Sequence, residues 1–325
     1  MVFFIAFLRM LATCLITNSH YLGVYPTDII ANGGLLGDVI FFAVSGYCLY
    51  NVKASFPKWY SKRVIRCYLP VIMITAFYLI IGSYELTSER TMFWWFIYPT
   101  YYHFVSSIML LYVFYYFIMK IEPLKNRIPV VMVVIAVVYL FVYIFIYDKS
   151  YYHIDKVWEP MIRFLFMESM LLGAWFRQND KRFRNKPSII AGIGAFVAAG
   201  IYFICKIAFS KNLFISNLQI INQLVLFVFL CMIIRTFAGL DSKLEKMPAF
   251  IKKIITFISE ITLEIYLVQY VIIDMLKKVA PFPINWLVLT GTIFISATVL
   301  HYAVKGILLL CNKISQTFKK KIQKG

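Results

Sequence analysis

Charged side chains are scarce in this sequence, and acidic ones are the scarcest. Only 15% of its 325 residues are charged, whereas 62% are hydrophobic and 18% are aromatic. A water-soluble globule needs a more polar surface than this composition supplies, so that class is excluded. The uncharged stretches 130–147, 188–205 and 213–234 match the roughly 20 apolar residues that cross a bilayer. The sequence therefore predicts several transmembrane helices.

The shortage of Asp and Glu leaves a strong positive charge. The chain has 33 Lys and Arg against 15 Asp and Glu, which gives a net charge of +18. In a soluble protein this balance would favour nucleic-acid binding. In a membrane protein it has a simpler origin, because Lys and Arg collect in short loops on the cytoplasmic side. We therefore predict no nucleic-acid partner.

Cysteine patterns typical of a metal centre or a redox pair are also missing. The six cysteines lie in or at the ends of apolar segments, without a Cys-X-X-Cys pair or the spacing of metal ligands. We interpret them as packing residues and predict no metal site. The sequence also lacks the basic start and unbroken apolar run of a cleaved signal peptide. The first apolar segment is expected to remain as a membrane anchor.

Apolar runs and the breakers between them predict an all-α, polytopic transmembrane helical bundle of about ten helices. The predicted segments are 2–20, 35–52, 64–82, 103–120, 128–147, 160–177, 188–208, 215–235, 254–276 and 285–312. Neither a linker nor a repeat divides them, so residues 1–325 are predicted to form a single domain.

Basic residues alternate between the two sides of this bundle. The segments that carry 23 of the 33 Lys and Arg residues are 53–66, 120–127, 177–186, 235–253 and 313–325. The intervening loops hold at most six. By the positive-inside rule, we predict that both termini are cytoplasmic.

The first predicted helix carries Arg9 and His20, eleven residues apart. Eleven residues make close to three turns, which places both side chains on one face about 16 Å apart. A cation and a base then mark a line across the membrane. Alternatively, Arg9 extends to the inner headgroups and His20 caps the helix.

Asp38 lies just inside the outer end of the second predicted helix. A carboxylate there can orient or charge-stabilise a neighbouring histidine. Gly37, Ser45 and Gly46 on the same helix are small residues of the kind that let membrane helices approach closely.

Lys62, Arg63 and Arg66 stand at the cytoplasmic start of the third predicted helix. Arg63 and Arg66, three residues apart, share one helix face. Guanidinium groups there can bind phosphates in a bidentate manner. Their alternative role is to set the topology and contact anionic lipids.

Further ionisable residues occur in the later helices. They are Arg163, Glu168, Glu260, Glu264, His301 and Lys305. Opposite charges inside a bundle usually pair, so we expect Arg163 to pair with a glutamate. His301, four residues before Lys305, is expected to line an inner cavity. We interpret this group as structural.

One outer loop, 83–102, is rich in aromatic residues. They include Trp94, Trp95, Tyr98, Tyr101 and Tyr102. Such residues are typical of an interfacial belt or a short helix on the membrane surface. Stacked aromatics also suit a sugar ring.

Three motifs occur together and in order in this chain. They are Arg9 and His20, Phe-Phe-Ala-Val-Ser-Gly-Tyr at 41–47, and Lys-Arg-Val-Ile-Arg-Cys-Tyr-Leu-Pro at 62–70. In this arrangement the sequence resembles the acyltransferase 3 family of bacterial membrane acyltransferases. Weaker landmarks are His103-Phe104, Leu-Leu-Tyr at 110–112, Leu-Leu-Gly-Ala at 171–174 and Glu-Ile-Tyr-Leu-Val-Gln at 264–269. One departure is Gln269, where many relatives carry histidine.

The resemblance implies an O-acyltransferase of the short, membrane-only type in a bacterial inner membrane. Such proteins take an acyl group from acetyl-CoA or another acyl-CoA and place it on a surface polysaccharide or lipid-linked glycan. His20 would then be the catalytic base. Arg9, on the half of the helix nearer the donor, and Asp38 would be the other catalytic residues. Lys62, Arg63, Arg66 and Ser45 would bind the donor. The acyl group, the acceptor and the oligomeric state, a homo-oligomer included, remain open.

A transporter of polysaccharides or lipid-linked oligosaccharides is the competing prediction. Ten helices permit it, because buried charges can line a transport pathway instead of reacting. The sequence contains neither an inverted repeat nor paired helices broken by Gly or Pro, and this favours the enzyme.

Overall fold

The computed structural model describes residues 2–98 and 100–322. Regular structure in these ranges is α-helical throughout. The helices in chain order are α1 (Phe3–Ser19), α2 (Gly34–Leu49), α3 (Phe56–Ile80), α4 (Met92–Phe96), α5 (His103–Lys120), α6 (Glu122–Asn126), α7 (Ile128–Phe145), α8 (Ile162–Gln178), α9 (Asp180–Phe183), α10 (Ile189–Lys211), α11 (Leu213–Ser216), α12 (Ile220–Gly239), α13 (Asp241–Glu245), α14 (Ala249–Glu260), α15 (Thr262–Leu276) and α16 (Ile284–Ile322).

All ten predicted helices are present, and the prediction of a polytopic helical bundle is confirmed. Of the described helices, α3, α5, α7, α10, α12 and the part of α16 up to Cys311 are each long and apolar enough to cross a membrane. Helices α1 and α2 are apolar but shorter. Exposed valine, leucine, isoleucine and phenylalanine side chains cover most of α7, as expected of a helix that faces lipid.

Four predicted helices differ from their expected bounds by more than three residues, and one of them, the eighth, is observed at Ile220–Gly239 instead of 215–235. The third begins at Phe56 rather than at residue 64, with Pro57 in its first turn, a position where proline costs no hydrogen bond. The last helix continues to Ile322. The ninth is divided into α14 and α15, which meet at Ile261 with a bend of 70°. Together α14 and α15 are long and apolar enough for one broken span or a re-entrant loop.

Small residues bring α1, α2 and α8 together at the centre of the bundle. A side chain on Gly46 of α2 would overlap the backbone of Met170 on α8, and one on Gly173 of α8 would overlap the backbone of Ala43. Gly37 packs in the same way against the Ala12 carbonyl of α1. The predicted packing role of Gly37 and Gly46 is therefore confirmed.

The end of the bundle nearer Arg9, which we call the Arg9 side, is held by an ionic network. The backbone N–H of Phe4, in the first turn of α1, donates to Asp241 Oδ1 at 2.8 Å. Asp241 Oδ2 accepts from Arg184 Nε at 2.6 Å. Because the first N–H groups of a helix lack partners within it, Asp241 fixes the start of α1.

The opposite end, which we call the His20 side, is held by polar contacts between its loops. Lys206 Nζ of α10 donates to Asn32 Oδ1 at 2.9 Å. Asp155, in the loop after α7, accepts from Gln223 at 2.7 Å and from Tyr202 at 3.0 Å. These contacts fix the helix ends around His20.

Candidate active site

One face of α1 carries Arg9, Thr13, Ile16, Thr17 and His20, which we call the α1 stripe. Arg9, Thr13 and His20 are separated by one or two helical turns, with Ile16 and Thr17 side by side in the turn between Thr13 and His20, so the members stack along the helix. Helix α1 ends at Ser19, and His20 is its C-cap with helical backbone angles, so the register extends to His20. The predicted common face of Arg9 and His20 is thus present.

Arg9 occupies the break between α14 and α15. Its Nη1 donates to the Ser259 carbonyl at 3.5 Å, and its Nη2 lies 3.8 Å from Cys48 Sγ. The last carbonyls of a helix have no partner within it and carry partial negative charge, which suits a guanidinium. Arg9 therefore points into the bundle instead of extending to the headgroups.

Four helices place a set of polar groups around Tyr112. The Tyr112 hydroxyl of α5 lies within hydrogen-bonding reach of Ser45 and within electrostatic range of Arg63 and Arg66. Arg9 is in turn within electrostatic range of Arg66 and Tyr112. We call Arg9, Ser45, Arg63, Arg66 and Tyr112 the basic cluster.

The arginines of the basic cluster have little competition from acidic groups. Among the described residues, none of Arg9, Arg63 and Arg66 forms an ion pair with a carboxylate. The Arg63 guanidinium lies over the Trp59 ring, 4.3 Å from its centroid, and donates to the Trp59 carbonyl at 3.0 Å. Lys62 is exposed on α3 and is not a member of the cluster. Arginines so arranged can bind an anion.

A narrow pocket, the inner pocket, follows the α1 stripe between Arg9 and His20. Its cavity volume is only about 10 Å³, which is roughly the space of one water molecule. Its walls are mostly apolar and come from α1, α2, α5 and α15. The lining residues are Thr13, Ile16, Thr17, Phe41, Phe104, Thr262, Leu263, Ile265 and Tyr266.

His20 lies at the far end of the stripe against α15. Its half-buried ring meets the Tyr270 ring edge to face, with 4.6 Å between centroids. Within the described part of the chain, the imidazole has no hydrogen bond to another group. Its ring nitrogens therefore have no protein partner that would compete with a substrate hydroxyl.

Asp38 is buried near a pair of tyrosines on α15. It lies within electrostatic range of Tyr266 and Tyr270. The expected direct pair with His20 is not present in the ranges 2–98 and 100–322. Tyr270 connects the two residues, because its ring contacts the His20 ring and its hydroxyl lies within electrostatic range of Asp38. The influence of Asp38 on His20 would therefore pass through Tyr270.

Two expectations for the later helices have different outcomes: that groups of opposite charge pair inside the bundle, and that Arg163 pairs with a glutamate. His301 Nδ1 lies 2.8 Å from Glu264 Oε1, so the histidine is paired and buried. The expected pair of Arg163 with a glutamate is wrong, because Arg163 contacts Ser107 at 3.5 Å and Tyr98 at 3.4 Å. Arg163 stands in the first turn of α8, beside the outer loop and its polar groups.

Two further features of the sequence analysis can be located in the structure: Gln269, and the residues that could bind a metal. Gln269 is fully buried, and within the described chain neither atom of its amide has a hydrogen-bond partner. No group of three or more His, Cys, Asp or Glu residues that could hold a metal ion occurs among the described residues.

The site can now be compared with known proteins. The family model described as the acyltransferase domain of acyltransferase family 3 matches residues 2–307. This chain belongs to the acyltransferase 3 family. The matched range of this acyltransferase includes the whole α1 stripe, the basic cluster and the inner pocket. No curated protein and no solved structure matches the chain.

Sequence reasoning assigned no role to Tyr112, Tyr266 and Tyr270 of this acyltransferase. Tyr112 and Tyr266 lie in the weaker family motifs at 110–112 and 264–269, and Tyr270 follows directly. Each contacts the α1 stripe or its neighbours across the bundle. Aromatic residues are common throughout the chain, so only the motifs could have marked these three.

Proposed function

We propose that this acyltransferase transfers an acyl group, acetyl in the first instance, from cytoplasmic acyl-CoA to a hydroxyl of a surface polysaccharide or lipid-linked glycan. The observation that carries the proposal is the α1 stripe, with a guanidinium at one end, an imidazole at the other and a pocket between them. We place the protein in a bacterial inner membrane with both termini in the cytoplasm, where the donor is present.

The reaction needs a base, because an alcohol attacks a thioester slowly until its proton is being removed. His20 takes the proton of the acceptor hydroxyl, and the hydroxyl oxygen attacks the thioester carbonyl. The tetrahedral intermediate then loses its C–S bond. The departing thiolate takes the proton from the imidazolium, which leaves an ester, free CoA and neutral His20.

The basic cluster supports a donor site at the opposite end. CoA carries several phosphates, and arginine presents paired N–H donors that match phosphate oxygens. Arg63 and Arg66 hold these phosphates, while Ser45 and Tyr112 offer hydroxyl groups beside them. Arg9 holds the donor where the inner pocket begins. The apolar walls of that pocket match the apolar parts of the slender pantetheine arm and its acyl group, and the lining helices would have to move apart to admit them.

This arrangement matches the distribution of the two substrates. A polyanionic donor stays in the cytoplasm, and a surface glycan is outside. Because His20 lies at the side predicted to face outward, the acyl group reaches the acceptor while the phosphates remain at the basic cluster.

The direct test uses labelled acetyl-CoA on membranes that contain the protein. An acyltransferase deposits the acyl label on glycan in the form of an alkali-labile ester. A transporter moves unmodified glycan and leaves the label on the donor. Absence of label from all membrane and surface glycans, at normal protein level, would contradict the proposal.

Removal of either arginine of α3 should raise the donor concentration that the enzyme needs. We expect Arg63→Gln and Arg66→Gln each to raise the KM for acetyl-CoA by about tenfold, since a charge-assisted hydrogen bond contributes roughly 1.5–3 kcal/mol. The KM for the acceptor should stay the same, and initial rates at varied donor concentration measure both constants.

Arg182→Gln provides the control for this prediction. Arg182 is exposed on the Arg9 side and remote in sequence from the basic cluster. Its loss should leave the donor KM unchanged. An unchanged KM in the Arg63 and Arg66 variants as well would reassign the two arginines to topology and lipid contact.

A further inference from the structure

A second and larger pocket, which we call the loop pocket, opens on the His20 side of the bundle. It lies between the loop that follows α3 and the last turns of α15, and has a cavity volume of about 650 Å³. This volume lies within the roughly 300–1,000 Å³ of typical small-molecule sites. The reaction described so far uses neither the space nor the residues around it, apart from the contact of Tyr270 with His20.

Aromatic rings form the wall of the loop pocket nearest the α1 stripe. Tyr84 stacks on Trp95 with 4.2 Å between centroids, and Tyr101 packs edge to face on Tyr270 at 5.4 Å. Tyr101 and Tyr270 are half-buried and therefore present part of their rings to the pocket. Burial raises the pKa of the Tyr84 and Tyr101 hydroxyls, so both stay neutral donors. Such a wall suits the face of a sugar ring.

The same wall connects the loop pocket with both the base and the inner pocket. Tyr270 lines the loop pocket, and its ring also contacts the His20 ring, with 4.6 Å between centroids. Tyr266, one turn earlier on α15, packs on Tyr270 at 5.5 Å and lines the inner pocket. A ligand in the loop pocket is thus one tyrosine away from His20 and two from the inner pocket.

The charge of the loop pocket is opposite to that of the protein. The chain has only 15 acidic residues and a net charge of +18. Nevertheless Glu85, Glu89 and Asp274 line this pocket, against a single lining cation, Arg90. Lys277 pairs with Asp274 at 2.8 Å, whereas Glu85 and Glu89 form no ion pair within the described residues.

Arg90 does not neutralise these glutamates directly. Its guanidinium lies over the Trp94 and Trp95 rings, 5.4 and 6.0 Å from their centroids. The two carboxylates therefore face an incoming ligand. Carboxylates accept hydrogen bonds from sugar hydroxyl or ammonium groups and repel anionic groups.

We propose that the loop pocket binds the acceptor, and that the unit it binds is a sugar without negative charge, neutral or amino-bearing. This inference rests on the proposed function and specifies its acceptor. The ring lies against Tyr101 and Tyr270, its hydroxyl or ammonium groups donate to Glu85 and Glu89, and the reacting hydroxyl points past Tyr270 to His20.

Three soluble acceptors that differ in charge test the inference. They are the methyl glycosides of N-acetylglucosamine, glucosamine and glucuronic acid, each supplied with labelled acetyl-CoA and purified full-length protein. The first two should be acylated, and the glucuronide should have a kcat/KM at least about tenfold lower at low salt, because repulsion is strongest there. Higher salt should reduce this difference in kcat/KM between the glucuronide and the other two glycosides.

Charge-removing variants make the test specific to the pocket. Glu85→Gln together with Glu89→Gln should raise kcat/KM for the glucuronide by about fivefold and lower it for the glucosamine glycoside, without changing the donor KM. Both side chains are exposed, so the fold should be unaffected. Asp148→Asn, an exposed carboxylate in another loop of the same side, should change none of these constants.

Each outcome separates the inference from the proposed function. Preference of the wild-type enzyme for the glucuronide, or identical constants in the double variant, would overturn the inference while acyl transfer itself remains. Acylation of membrane glycan but of none of the three glycosides would also overturn it. Loss of transfer to every acceptor, membrane glycan included, would refute the proposed function.

Discussion

Replacement of His20 by asparagine should lower kcat for acyl transfer by about 10²–10⁴-fold, the usual contribution of a positioned general base. Asparagine keeps a planar polar group against Tyr270 but cannot take the proton of the acceptor hydroxyl. The donor KM should stay near its wild-type value, because the basic cluster lies at the opposite end of the α1 stripe. Initial rates with labelled acetyl-CoA measure both constants.

The control for this experiment is a second histidine on the same side of the bundle. His103 begins α5 and is half-buried beside Trp158, with ring centroids 6.4 Å apart. We expect His103→Asn to keep most of the activity at an equal protein level. Full activity of the His20→Asn variant would remove His20 as the base.

The sequence predicted most of the helices and one face of the site. Helix positions follow from apolar length, and the common face of Arg9 and His20 follows from eleven residues of one helix. Both properties are local, so they can be derived without knowledge of the neighbours. The bend between α14 and α15 was not predictable in this way, because residues 249–262 contain neither proline nor glycine.

Contacts between helices were the part that local patterns could not provide. Arg163 was expected to pair with a glutamate, yet it contacts Ser107 and Tyr98. Asp38 was expected beside His20, yet Tyr270 relates the two residues. In each case the partner is decided by which helices and loops become neighbours.

The break between α14 and α15 explains how Arg9 is positioned at its end of the site. In an unbroken helix the Ser259 carbonyl would accept a backbone hydrogen bond within the helix, and it would not be available to the Arg9 guanidinium. At the break, the Ser259 carbonyl accepts from Arg9 at 3.5 Å and from the Thr262 hydroxyl at 3.1 Å. Thr262 also forms a polar part of the wall of the inner pocket, where its hydroxyl accepts a hydrogen bond from Thr13 Oγ1 at 3.1 Å. The bend thus positions both Arg9 and the start of the pocket.

Replacement of Gly46 or Gly173 by alanine should destabilise the protein strongly. The added methyl groups would overlap the backbone of Met170 and of Ala43, respectively, and backbone cannot rotate away as a side chain can. Overpacking of this kind costs about 3 kcal/mol, the upper part of its usual range. The melting temperature in detergent should fall by several degrees, and Ser45, beside Gly46 on α2, should shift relative to Tyr112, so that donor binding weakens as well.

Gly200 and Gly291 provide matched controls inside helices. Apart from the adjacent residues and backbone of the same helix, nothing lies within 4 Å of the place where their methyl groups would be. Gly200→Ala and Gly291→Ala should therefore keep or slightly raise the melting temperature, because alanine is the better helix former. Equal melting temperatures for all four variants would mean that α2 and α8 are not in close contact. If only Gly46→Ala and Gly173→Ala melt early, close contact of α2 with α8 is what holds Ser45 at the basic cluster.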